Sequence, residues 1–316
     1  MSADPSATPH RVVIDCDPGH DDAVALLVAA GDPRVELLGI ATVVGNQTLD
    51  LVTRNALVVA SVAGLTDVPI VAGAGCPLVR PLRTAPEIHG ESGLDGPPPI
   101  EPAIEVTPGH GARFIAETVL ADPGRVTLVP TGPLTNVALA LRMYPEIAEA
   151  VERVVLMGGS YTRGNTTPAA EFNIFVDPEA AAAVFAADWD VTMIGLDVTH
   201  LALYADEVAE RLDEVDTRAA RWMDELMTFF AATYRTAGRV GAPPVHDAVA
   251  VASVIDPSLV TTRDARVEIE TAGALTRGMT VVDFAAAPQT GRHRVGVDLD
   301  VERFWDLVLA AVGALP

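Results

Sequence analysis

Short runs of β-branched residues alternate along this chain with Ala- and Leu-rich segments of helical period. The pattern predicts strands at residues 12–14, 35–44, 68–72, 126–129, 154–157 and 191–196, with helices between them at 22–30, 49–63, 134–141 and 178–187. Such βαβ alternation implies an α/β fold, an open, mostly parallel sheet flanked by helices on both faces. From 206 to 239 the period is helical, and a further helix starts at His246-Asp247. The tail reads as strands at 267–269, 279–284 and 295–297, closed by a helix over 301–312. Residues 77–108 are rich in Pro and Gly and read as one long loop, a feature that often carries function. No Gly/Ser-rich or charged linker divides the chain, so residues 1–316 are expected to form a single domain, with a flexible polar N-terminus over 1–10.

Composition narrows the partners. The chain is 49% hydrophobic and 20% charged, as expected of a soluble globular protein. Its formal net charge of −22 repels nucleic acid and anionic membrane surfaces, so neither is an expected partner. All 21 basic residues are Arg. Without a lysine amine, Schiff-base, pyridoxal-phosphate and Walker-type phosphate chemistry are excluded. The two cysteines, Cys16 and Cys76, lie far apart without metal-ligand spacing and are expected to be small buried thiols in a reduced compartment. The N-terminus has no apolar signal core, and the uncharged stretch 126–141 is broken by Pro130, Gly132 and Pro133. A cytoplasmic protein is the expectation.

Several polar groups fall at the carboxyl ends of predicted strands, where open α/β sheets bind ligands: Asp17, the 44–46 turn, Thr131 and Asp197. The first of these lies in a dense acidic run, Asp15-Cys16-Asp17-Pro18-Gly19-His20-Asp21-Asp22. One such Asp would be an ordinary helix cap. Three in six residues around a Pro-Gly turn favour a hard cation bound through oxygen, and the lack of His or Cys ligand pairs argues against zinc. His246-Asp247 has two even readings: a capping Asp with a packed His, or a fourth acidic ligand beside a proton donor. The loop with Asn165, Glu171 and Asn173 is either an exposed polar turn or a seat for a ligand with several hydroxyls. Asp22-Ala23-Val24-Ala25 is echoed by Asp247-Ala248-Val249-Ala250, though two short matches in an Ala-rich chain also arise by chance. Cys16, behind the carboxylates, is expected to be an inert core thiol.

Together these segments resemble the nucleoside hydrolase family, in particular its inosine–uridine preferring branch. The resemblance rests on the acidic run 15–23, Thr42-Val43-Val44-Gly45-Asn46-Gln47-Thr48, Ile88-His89-Gly90-Glu91-Ser92-Gly93 and Val129-Pro130-Thr131-Gly132-Pro133-Leu134-Thr135-Asn136. Val155-Leu156-Met157-Gly158-Gly159, Glu171-Phe172-Asn173 and Val245-His246-Asp247 follow in the family's order. It implies that family's fold with a Rossmann-like core, and calcium-dependent hydrolysis of purine or pyrimidine ribonucleosides to ribose and free base. By position, Asp17, Asp22, Asp247 and the Thr131 carbonyl match ligands of one calcium ion per subunit, completed by the ribose diol and a water that Asp17 deprotonates. Asp21, Asn46 and Asn173 match diol-binding positions, and Asn165 and Glu171 match those that receive the 5′-hydroxyl. His246 matches the acid for the departing base, while His89 and Tyr234 match residues near that base. Phe230 lacks the hydroxyl often found at its position. The family also implies a homodimer or homotetramer.

Two rival classes share features of the chain. Phosphohydrolases with Asp-x-Asp after a first strand begin as Asp15-Cys16-Asp17 does, but they need a Lys that this chain lacks. A calcium-stabilised nucleoside-binding protein would need no His beside Asp247.

Overall fold

A computed structural model describes residues 8–238, 241–285 and 293–316. Nine strands form one sheet: β1 (His10–Cys16), β2 (Val35–Thr42), β3 (Ile70–Ala72), β4 (Val126–Pro130), β5 (Arg153–Met157), β6 (Val191–Ile194), β7 (Val260–Ile269), β8 (Thr280–Asp283) and β9 (His293–Leu299). Their order is β3-β2-β1-β4-β5-β6-β9-β7-β8, parallel as far as β9 and antiparallel for the β9–β7 and β7–β8 pairs. This is the expected mostly parallel α/β sheet. The chain leaves β1 towards β2 on one side and returns to β4 on the other, so β1 and β4 flank the switch point where open sheets bind ligands. Register aligns Asp15 with Pro130 and Cys16 with Thr42. The residues that follow, Asp17, Val43 and Thr131, therefore leave the sheet side by side.

Helices cover both faces, each over its own apolar core. Two of them, His20–Gly31 and His246–Ile255, pack against one another and are buried almost all round. Their Ala/Val-rich sequences, apolar on every side, demand that environment. The 22–25 and 247–250 echo thus marks two paired helices whose first turns start at the same end of the sheet.

Differences from the sequence reading are local. The 206–239 stretch divides into Asp206–Asp213 and Arg218–Thr236, because Thr217 accepts a hydrogen bond from the Ala220 N–H and caps a new helix. Arg239, like residues 1–7 of the expected flexible terminus, lies outside the described residues. The Gly111–Ala121 helix went unread; its cap is the His110 imidazole, which accepts from Ala112 N–H, in place of the usual Ser, Thr, Asp or Asn. Cys16 is buried as expected, but Cys76 is exposed: it falls in the turn between Gly75 and Pro77, outside any element that could cover it. Among the described residues no helix is long and apolar enough to cross a membrane.

Candidate active site

The end of β1 and the first turns of the two paired helices bring four carboxylates together. Asp17, Asp22 and Asp247 are each at most 3% exposed, and Asp21 is 6% exposed. Asp21, Asp22 and Asp247 offer oxygens within 4.8 Å of one another. Asp17 stands just outside this trio, because the Asn46 backbone N–H holds its Oδ2 at 2.6 Å. Asp22 accepts from the Gly19 N–H at 3.1 Å, the Asn46 side chain at 3.2 Å and the Thr131 hydroxyl at 2.8 Å.

No Arg forms an ion pair with any of the four among the described residues. Burial, and then the neighbouring Asp22 charge, push Asp21 up to about 7 and Asp17 well above the usual carboxylate range. Asp247 is raised well above that range by burial and then by Asp21. Asp17 Oδ1 and Asp21 Oδ1 are buried without a hydrogen-bond partner among the described residues. Orphaned anionic oxygens with no cation in reach are costly unless a positive ion fills the gap. The donors are all oxygen, which suits a hard divalent cation.

Glycines make this arrangement possible. A Cβ at Gly45 would lie 2.1 Å from Asp17 Oδ2, and one at Gly132 would lie 2.5 Å from Oδ1. Behind the cluster, Asp15 accepts from the Asn136 side chain at 2.8 Å. Asn136 also donates to Thr42 O and accepts from Ala74 N–H, so it ties together the ends of β1, β2 and β3. Asp15 is raised to about 7 by burial, against the pull of that hydrogen bond.

Beside the acids opens a cavity of about 250 Å³. Its wall carries an acid-and-amide set, Asp21, Asn46, Thr131, Asn165, Glu171, Asn173 and Asp247, together with His246, and an aromatic set, His89, Phe230 and Tyr234. Every residue expected to touch substrate is thus in the wall, whereas Asp17 and Asp22 are not part of it. Asn173 donates to the Thr131 carbonyl at 2.7 Å. Glu171 caps the Phe172–Val176 helix, accepting from Asn173, Ile174 and Gly159 N–H groups. Burial still raises its pKa. Asn165 accepts from Phe172 N–H at 2.9 Å. His246 Nδ1 lies 2.7 Å from the Thr199 hydroxyl.

The aromatic set is fastened from outside. His89 is carried by the one-turn helix Pro86–His89 within the long loop. That loop is pinned by Gln47 to Gly90 O, Asn55 to Ser92 O and Thr233 to Ile88 O. His20 Nδ1 sits 3.3 Å from His89 Nδ1, and its Nε2 lies 3.0 Å from the Asp95 carbonyl. The Phe230 ring stacks on His20 at 4.9 Å and on His89 at 5.5 Å. Desolvation lowers His20 to about 4 and His89 well below its ordinary value.

Sequence reasoning missed His20, His200 and Arg83. His200 and Arg83 line the cavity, and His20 backs His89. No strand-end or motif signal marks His200, which follows the short Leu196–Thr199 helix. Asp197, singled out as a polar residue at a strand end, instead binds the Tyr161 N–H and the Thr162 hydroxyl and is absent from the cavity wall.

The sequence profile of the inosine-uridine preferring nucleoside hydrolases matches residues 12–306. The chain is 52% identical over 307 residues to the inosine-uridine preferring nucleoside hydrolase of Crithidia fasciculata, covering 96% of this chain and 98% of that one. It is 48% identical over 313 residues to the Leishmania major enzyme of the same name, with the same coverage. The solved purine-preferring ribonucleoside hydrolase of Gardnerella vaginalis superposes with a TM-score of 0.90 at 32% identity, over 96% of this chain and 98% of that one. The chain therefore belongs to the inosine-uridine preferring nucleoside hydrolase family, hydrolases that act on N-glycosyl compounds.

Proposed function

We propose that the protein hydrolyses the N-glycosidic bond of purine and/or pyrimidine ribonucleosides, releasing ribose and a free base, in a calcium-dependent reaction. The observation that carries this reading is the cavity itself, lined by acidic and amide groups together with aromatic and imidazole rings, beside four buried carboxylates. Asp17, Asp22, Asp247 and the Thr131 carbonyl would hold one calcium ion per subunit. The orphaned Asp17 oxygen and the all-oxygen donor set fit that ion. When bound, it offsets the clustered negative charge, fixes the sugar and makes a water more acidic.

The chain's own residues then divide the work. Asp21, Asn46 and Asn173 hold the ribose 2′- and 3′-hydroxyls, and Asn165 and Glu171 receive the 5′-hydroxyl. Asp17 takes a proton from the attacking water as its oxygen bonds to C1′. His246 gives a proton to the departing base as the C1′–N bond pair leaves with it. Cleavage of this kind passes through an oxocarbenium-like state. Carboxylates and amide oxygens placed beneath the sugar stabilise its positive charge. His89, Phe230 and Tyr234 face the base. The family resemblance further supports a homodimer or homotetramer, and the sequence reading a cytoplasmic one.

A steady-state panel of purine and pyrimidine ribonucleosides, with and without a chelator, tests the reading. Free base should appear, and chelation should stop it until calcium is restored. Absence of base release from every ribonucleoside would sink the activity, and an undiminished rate after chelation would sink the metal requirement. A 2′-deoxyribonucleoside should react poorly; equal rates would remove the diol role from Asp21, Asn46 and Asn173.

A further inference from the structure

We infer that Thr199 is a positioning residue: its buried hydroxyl donates to His246 Nδ1 and so fixes the imidazole in the tautomer that carries its proton on Nε2. This deepens the proposed function and rests on it, since it concerns how His246 comes to be a proton donor. The geometry is a single contact of 2.7 Å between Thr199 Oγ1 and His246 Nδ1. Thr199 closes the short Leu196–Thr199 helix just beyond β6 and is 0% exposed. Its backbone is already committed, with its N–H donating to Gly195 O and its carbonyl accepting from Ala202 N–H. Its hydroxyl has no other side-chain or backbone partner among the described residues.

That solitude decides the direction of the bond. A hydroxyl is both donor and acceptor, whereas a neutral imidazole nitrogen is one or the other. If Nδ1 carried the proton, Thr199 would accept, and its own O–H would be buried with nothing to bind. An unsatisfied buried donor costs more than the hydrogen bond it would accompany gains. If Thr199 donates, both groups are satisfied and Nε2 is left as the N–H of the ring. His246 lines the cavity, so the neutral ring then carries a transferable proton on the nitrogen not engaged by Thr199. His200 packs edge-on against His246 at 5.4 Å and limits how far the ring can swing.

The test compares two substrates that differ in whether the leaving group needs a proton. A ribonucleoside such as inosine does; 4-nitrophenyl β-ribofuranoside does not, because nitrophenolate leaves as a stable anion. In Thr199→Val, which keeps shape and removes the hydroxyl, kcat for inosine should fall roughly ten- to a hundredfold, a fraction of what general-acid catalysis supplies. KM for inosine and kcat for the nitrophenyl riboside should stay near wild type, and Thr199→Ser should restore the inosine rate. Equal losses on both substrates would make Thr199 merely structural and overturn the inference, as would no loss on either. If the Val variant does not fold, Thr199→Ala against Thr199→Ser gives the same contrast, since both lose the methyl and only Ser keeps the hydroxyl. Imidazole 15N shifts of the wild-type holoenzyme give a readout independent of turnover: a proton on His246 Nδ1 would overturn the inference. A wild-type enzyme inactive on every ribonucleoside would fail the proposed function itself, whereas a wrong variant ratio or tautomer fails this step alone.

Discussion

The acid-and-amide set and the aromatic set of the cavity wall are built on different terms. The acids and amides grow directly out of the sheet: Asp17 and Thr131 follow adjacent strands, and Asp21, Asp22 and Asp247 occupy the first turns of two helices packed in the core. The aromatic set is assembled from segments outside the sheet, the Pro86–His89 turn and the later half of the Arg218–Thr236 helix. One set hangs from the strand ends and the other from a loop turn and a flanking helix, although His89 and Phe230 are themselves buried. Chemistry that every substrate shares belongs on the first, and discrimination between substrates belongs on the second. Substitutions should therefore separate cleanly: kcat and cation affinity in the acid-and-amide set, base preference in the aromatic set.

The largest expected effect is loss of the acid cluster. Asp247→Ala removes one carboxylate of the close trio and should abolish calcium binding in calorimetry. It should also lower kcat by roughly a thousandfold or more, beyond the cost of removing a single preorganised polar contact. Phe230→Ala should leave calcium affinity intact. If the aromatic substitution weakened cation binding as much as the acidic one, the two sets would not be independent.

Stability of the cation-free protein should carry the same signature. Asp15 and Asp21 are raised from 3.8 to about 7 in the folded chain. Between those values the folded state binds more protons than the unfolded one, so the stability these groups contribute is present below pH 4 and lost as pH rises through about 7. Each unit of such a shift is worth about 1.4 kcal/mol. Thermal unfolding in chelator should accordingly show a falling Tm from pH 5 to pH 8, and excess calcium should restore it, by about 2.7 kcal/mol at a hundred times Kd. A chelated protein whose Tm rises over that range would mean the acids are already neutralised from within.

A subtler probe is Gly132→Ala. The added methyl would meet Asp17 Oδ1 at 2.5 Å, so the carboxylate must shift. A displacement of about an ångström in a reacting group can cost on the order of a hundredfold. We expect kcat to fall by up to that factor with KM for the ribonucleoside little changed; an unchanged kcat would show that Asp17 tolerates movement and is not the base.

These contrasts also explain what was legible in sequence. The acid-and-amide set could be read because strand-end chemistry is contiguous: the 15–22 run and the 129–136 segment each carry their own turn, cap and functional side chains. Even the 22–25 and 247–250 echo, weak as a string, reflected two buried helices meeting at their N-termini. Convergence of Asp247 with the 15–22 run was one of two even readings of the residues alone, and the family resemblance decided it; its physical cause is that those two helices pack together. In the aromatic set His89 was found through the family resemblance. His20 was hidden inside the acidic run, where its neighbours' charge drew attention away from a ring that stacks with Phe230. His200 and Arg83 stand in no motif at all; only folding brings them to the cavity.

The smallest expected effect lies at Phe230, the position that the family resemblance marks for its lack of a hydroxyl. The ring is 2% exposed, stacked on His20 and His89 and edge-on to Tyr234 at 6.1 Å, yet it lines the cavity. Phe230→Tyr adds a hydroxyl with no established partner, and a buried unsatisfied hydroxyl costs about 1–3 kcal/mol. A base that offers a hydrogen-bonding edge can relieve that cost, whereas one without it cannot. The ratio of kcat/KM between purine and pyrimidine ribonucleosides should therefore shift by roughly tenfold or less, in the range that single pocket groups command. Calcium affinity and turnover of the nitrophenyl riboside, which presents no nucleobase, should not move. A change confined to cation affinity would mean that the His20 ring transmits strain from the aromatic set into the neighbouring Asp21 and Asp22, and that the two sets act as one.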